Sequence, residues 1–135
     1  MSLRQDWEQG RSKDWPPNPL KGEINIKYMK RYAQIVALQP EAEARYRELH
    51  LAVWPSVLKT IKDCNIENYS IFLRDGLLFA YFEYTGTDYA ADMAKMAADP
   101  ETQRWWKETD PLQRPLETCK EGEWWAPMEE VFHID

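Results

Sequence analysis

The chain is poor in the residues on which most specialised chemistries rest. Its two cysteines, Cys64 and Cys119, lie far apart, with no C-x-x-C spacing and no histidine at ligand spacing from either. This argues against zinc-ribbon and dithiol redox sites and predicts two reduced thiols, as in a cytoplasmic protein. Histidine is scarce too: there are two, His50 and His133, and no H-E-x-x-H. Also missing are a Gly-rich phosphate loop, a G-x-S-x-G elbow and an EF-hand pattern, so phosphate, serine-hydrolase and calcium readings lack their main parts. No run of eighteen apolar residues occurs, and no membrane partner is expected. Charge of one sign is not concentrated either. Lys and Arg number 17 against 23 Asp and Glu, and the net charge of −6 is spread in mixed sign. That pattern speaks against a nucleic-acid surface.

What the chain does have is aromatic side chains. Seven residues of 135 are tryptophan, and four of these form the pairs Trp105–Trp106 and Trp124–Trp125. Adjacent tryptophans cannot face the same way, so at least one of each pair must leave the core or line a cavity. A length of 135 residues is enough for one domain with a real core.

Residues 1–27 hold three of the nine prolines, no sustained period and no apolar stretch of secretory type. They are expected to form a poorly ordered arm, with Trp7 and Trp15 as docking points, and residues 28–135 one domain. RYAQIVALQ (31–39) alternates as a strand. Pro40 suits the first position of a helix, and Glu41 and Glu43 favour a helix N-terminus. Pro55 then disfavours helical geometry at Trp54 and starts a second segment, packed through Val57, Leu58 and Ile61. Two aromatic-rich alternating runs flank Asp75–Gly76, a hairpin signal. Helices are expected over 87–98 and 100–109, a loop over about 110–127, and a closing strand at EEVFHI (129–134). The order β-α-β-β-α-β is ferredoxin-like, an α+β fold. Its bare sheet face is expected to carry Tyr69, Phe72, Phe79 or Tyr81, depending on register. Such a face invites closure by a second copy into a dimeric α/β barrel.

The sharpest local feature is YRELHLAVWP (46–55). Spacing of four places Tyr46, His50 and Trp54 along one helix face. Imidazole gives and takes a proton near neutral pH better than any other side chain, which makes His50 the candidate proton carrier. Tyr46, one turn earlier, can orient a substrate hydroxyl, and Trp54 reads as packing. Trp105 and Trp106 suit the walls of a small-molecule pocket, stacking on the C–H face of a sugar ring. His133 reads as structural.

Taken together, Y-x-x-x-H-x-x-x-W-P at 46–55, NYSIFL (68–73), LLFAYFE (77–83), QRWW (103–106) and the final EEVFHID resemble the L-rhamnose mutarotase family from about residue 31 to 134. The resemblance implies a homodimeric ferredoxin-like barrel with a monosaccharide pocket in each subunit, and no metal or organic cofactor. The implied activity is interconversion of the α and β anomers of a 6-deoxy-L-sugar, L-rhamnose or L-fucose. By this resemblance His50 is the catalytic proton donor, and Tyr46, Tyr69, Trp105 and Trp106 bind substrate. On ring opening His50 would protonate the ring oxygen while a tyrosine hydroxyl or water handles the anomeric proton. The segment 109–128 departs from the family's Asn- and Pro-rich loop and adds a tryptophan pair. Two other readings fit the same pattern: a cofactor-free monooxygenase of the same fold, and a non-enzymatic sugar-binding module.

Overall fold

The computed structural model describes residues 29–135. The N-terminal arm with Trp7 and Trp15 lies outside the described residues. Strand β1 (Lys30–Leu38) is followed by helices α1 (Glu43–Leu51) and α2 (Pro55–Asp63). The hairpin β2 (Ile66–Arg74) and β3 (Leu77–Tyr84) comes next, then α3 (Tyr89–Ala98) and α4 (Pro100–Thr109). A 3-10 turn at Asp110–Leu112 leads into two short strands, β4 (Gln113–Arg114) and β5 (Ala126–Met128). The sheet runs β2-β3-β1-β4, all antiparallel, with β5 also on β1. This is the ferredoxin-like order, with each crossover helix split in two.

The alternation read from the sequence decides which face is covered. In β3 every second residue from Leu78 to Tyr84 is buried. Val36 and Leu38 of β1 join them against Tyr46, Val57, Met93, Met96 and Trp106 from the helices. The Asp75–Gly76 turn has positive φ at both positions, 53° and 73°, which Asp tolerates and Gly adopts freely. Trp54, at φ −59° and ψ 132°, has the extended geometry a following proline imposes, and Pro55 opens α2.

Four expectations are corrected. Pro40 does not start the helix; it sits in a turn closed by the Ala42 N–H on the Gln39 carbonyl (3.0 Å), and α1 begins at Glu43. Leu58 is half exposed, so α2 packs through Val57 and Ile61 without it. Tyr69 is not on the bare face. A register irregularity between Glu67 and Ser70, with Asn68 at φ 48°, turns Tyr69 onto the helix-covered side against Phe82. Finally, residues 129–134 form no strand. The edge of β1 is taken by β4 and β5 instead, and the apolar Val131, Phe132 and Ile134 find no cover within the described chain. The ion pair between Arg31 and Glu130, 3.0 Å, ties this tail to β1.

Candidate active site

Between the covered sheet face and helices α1, α2 and α4 lies a cavity of about 750 Å³. Tyr46 and His50 enter it from α1, Tyr69 from β2, and Trp105 and Trp106 from α4. All five residues singled out from the sequence therefore line one space. Val57, Ile66, Ile71 and Leu78 give it apolar walls, while Thr102, Thr109, Gln113 and Trp125 add polar and aromatic lining.

His50 sits in the last turn of α1, half buried. Its Nδ1 is 2.8 Å from the Tyr46 carbonyl oxygen. A carbonyl only accepts, so Nδ1 carries the hydrogen, and in the neutral ring Nε2 keeps its lone pair. Burial holds the His50 pKa below its ordinary value, and the bond to the Tyr46 carbonyl offsets part of that effect. Aromatic contacts fix the ring on two sides. It stacks on Tyr46, with centroids 4.1 Å apart and planes at 23°, and meets Trp105 edge-on at 5.3 Å. Trp54 braces Trp105 from behind at 5.2 Å, also edge-on, which is the packing role read from the sequence.

The two site tyrosines are kept as phenols. Burial pushes the Tyr46 hydroxyl above its ordinary range, the neighbouring Tyr69 adds to the rise, and the nearby Gln113 amide opposes it. Burial alone raises Tyr69. At neutral pH both can donate an O–H to a ligand oxygen. Trp105 and Trp106 are each 7% exposed, anchored on a helix whose N-cap, Asp99, accepts from the Thr102 N–H at 2.8 Å.

Sequence reasoning missed Thr102, Thr109, Gln113 and Trp125 as lining residues. The two threonines stand two turns apart on the helix face that carries the tryptophans, a spacing that was readable. Among the described residues the buried Thr109 hydroxyl finds no hydrogen-bond partner. Gln113 and Trp125 come from the irregular region after α4, where no period marks an inward position. His133 is exposed and pairs with Asp135, away from the cavity. Among the described residues no three His, Cys, Asp or Glu side chains converge to hold a metal, and no helix is long and apolar enough to cross a membrane. Cys64 and Cys119 are not joined by a disulfide, and burial pushes the Cys64 thiol up to about 11.

Fold and cavity together define a ferredoxin-like α+β domain with a neutral histidine, two phenols and indole walls around one small-molecule space. Comparison with known proteins narrows the class. The L-rhamnose mutarotase family model matches residues 31–134, and the chain belongs to that family. It is 33% identical over 115 residues to an L-rhamnose mutarotase of Phocaeicola vulgatus, covering 79% of this chain and all of that one. The same enzyme of Bacillus subtilis is 33% identical over 113 residues, with the same coverage. The crystal structure of an L-rhamnose mutarotase from Formosa agariphila superposes with a TM-score of 0.60 over 78% of this chain and 99% of that chain. At 24% identity that last likeness bears on the fold alone.

Proposed function

We propose that this protein is an isomerase that interconverts the α and β anomers of L-rhamnose, with His50 as the proton carrier. The observation that carries the reading is His50 itself, neutral, oriented by the Tyr46 carbonyl and facing a cavity walled by Trp105 and Trp106, in a chain of this family. Curated relatives from several bacteria bear the L-rhamnose name, which favours that sugar over L-fucose.

Mutarotation opens a cyclic hemiacetal, lets the aldehyde turn about C1–C2, and closes the ring on its other face. The anomeric hydroxyl loses a proton and the ring oxygen gains one. Because Nδ1 is committed to the carbonyl, Nε2 does the work. A neutral ring with a free Nε2 lone pair is a base, so, in place of the donor role that the resemblance implies for ring opening, it takes the anomeric proton as the C1–O5 bond breaks, and a phenol or a water gives its proton to the ring oxygen. On closure the C5 hydroxyl adds to C1 and gives its proton back to the phenolate or hydroxide, while the imidazolium returns its proton to the former carbonyl oxygen. Either anomer can enter, so one neutral group serves both directions. Tyr46, Tyr69, Trp105 and Trp106 hold the sugar, and the chemistry asks for no metal or organic cofactor.

Two further parts belong to this proposal. The protein works as a homodimer, supported by the exposed apolar side chains of Phe72, Met128, Val131, Phe132 and Ile134. It resides in the cytoplasm, supported by two cysteines that are not joined by a disulfide.

The test is saturation-transfer NMR of anomer exchange on L-rhamnose, L-fucose and their D-enantiomers. His50→Ala should slow exchange of L-rhamnose by about 10²–10⁴-fold, the usual worth of positioned acid–base help. A folded His50→Ala protein that exchanges anomers as fast as wild type would end the assignment.

A further inference from the structure

Trp54 lies outside the helix that carries His50. Helix α1 ends at Leu51, Ala52 leaves helical geometry at φ −146° and ψ 69°, and Trp54 is extended before Pro55. The spacing of four therefore does not put Trp54 on the helix face of Tyr46 and His50. The two residues converge by another route. His50 comes from the end of α1 and Trp54 from the corner that follows, and both meet the Trp105 indole of α4. The ring centroids lie 5.3 Å and 5.2 Å from that of Trp105, and both contacts are edge-on, at 71° and 73°.

The corner is also fastened to α4 without Trp105. The Arg104 guanidinium lies over the Trp54 ring, 5.9 Å from its centre, and pairs with Glu101 at 2.6 Å. Glu101 in turn accepts from the Ser56 hydroxyl at 3.2 Å. Residues 54–56 and α4 are thus joined at three points. The polar ones are partly exposed and weak singly. The half-buried indole of Trp54 is what sets where Trp105 sits.

The position of Trp105 matters to the imidazole. Tyr46 covers one face of the His50 ring, and the Tyr46 carbonyl holds Nδ1. Trp105 limits the ring in a further direction. A Trp105 free to shift would give His50 room to tilt off the carbonyl and would let water reach it. We infer that Trp54 is a positioning residue, which seats Trp105 against His50 and so keeps Nε2 aimed into the cavity. This rests on the proposed role of His50 and deepens it.

Trp54→Ala removes the support, and Trp54→Phe keeps an aromatic edge. The first measurement is 15N NMR of the two histidines, which needs no sugar. His133, exposed and paired with Asp135, is the internal reference. Wild type should show the Nδ1–H tautomer at His50. Trp54→Ala should weaken that signature and move the His50 titration up toward its ordinary value as water enters. The other titratable groups lining the cavity, Tyr46, Arg47, Lys62, Glu67 and Tyr69, are the same in both proteins. The second measurement is anomer exchange. Trp54→Ala should lower kcat about tenfold, since a small misplacement of a catalytic group costs up to about 10²-fold, and Trp54→Phe about twofold. In a His50→Ala background Trp54→Ala should cost nothing more, because the group it acts through is gone.

Unaltered His50 signals in a folded Trp54→Ala protein overturn the inference, and so do equal losses of rate with and without His50. If Trp54→Ala does not fold, Trp54→Leu, which keeps apolar bulk without an aromatic edge, replaces it in both measurements. A wild-type protein that leaves anomer exchange at the uncatalysed rate overturns the mutarotase reading instead, and the histidine spectra then decide the seating of the ring alone.

Discussion

A backbone carbonyl one turn upstream sets the tautomer of His50, and burial sets its charge. Both are local physical facts with a measurable consequence. The folded pKa lies below the ordinary value of 6.5, so the working neutral ring is lost only as pH falls beneath that value. The enzymatic rate should be flat from neutral pH upward and decline on the acid side. A pH–rate profile that climbs toward acid, after subtraction of the uncatalysed reaction, would make imidazolium the working form. Stability follows the same sign: the unfolded chain binds the proton more readily, so stability is lost as pH falls below 6.5. Tyr46 and His50 were legible because helical spacing reports a shared face, and Trp105 and Trp106 because an adjacent indole pair cannot share one face and suits a pocket wall. The tautomer was not, since no pattern of residue types says which ring nitrogen meets a carbonyl.

Among the elements, the hairpin, α1, α2, α3 and α4 were legible from period, proline position and the Asp-Gly turn. The fourth strand was not, because alternation in EEVFHI marks apolar residues without saying what covers them. The irregularity that turns Tyr69 inward was equally silent, since Asn68 in the left-handed region is a backbone choice made for the sheet. One junction makes a sharp test. Between β3 and α3 the Tyr84 hydroxyl donates to Asp92 Oδ2 at 2.5 Å and accepts from the Asp88 N–H at 3.0 Å, while Asn65 Nδ2 donates to the same carboxylate oxygen at 2.9 Å. Gly86 lies against this cluster. A Cβ there would meet the Tyr84 hydroxyl and stand 2.7 Å from Asp92 Oδ2. Gly86→Ala should therefore cost about 2–3 kcal/mol in urea denaturation, by overpacking and by breaking buried hydrogen bonds. A midpoint equal to wild type would mean the cluster relaxes freely.

For the whole molecule, the described chain leaves apolar surface that one copy does not bury. Phe132 is 77% exposed and Val131 89%, beside a sheet face carrying Phe72 at 61%. Exposed side chains of this size, grouped at one face and its adjoining tail, fit an isologous contact between two copies. Light scattering coupled to size exclusion should give the mass of a dimer, and Phe132→Glu should shift it toward monomer by placing a charge in the contact. A wild-type mass of 16.1 kDa would remove the dimer from the proposal.

The gap between β4 and β5 has a consequence for how this chain can change over generations. Gln113 and Trp125 are buried, Arg114 pairs with Ala37, and Trp124 donates to Gln113 Oε1 and packs against the core, yet no residue from 115 to 123 is buried. That segment is thus pinned at both ends and packs little between them. Mutations there can accumulate without disturbing the core or the helix that carries His50, and they fall beside the place where a sugar's hydroxyls would be sorted. Heritable drift in substrate preference has a stretch of chain to act on that leaves the proton chemistry untouched.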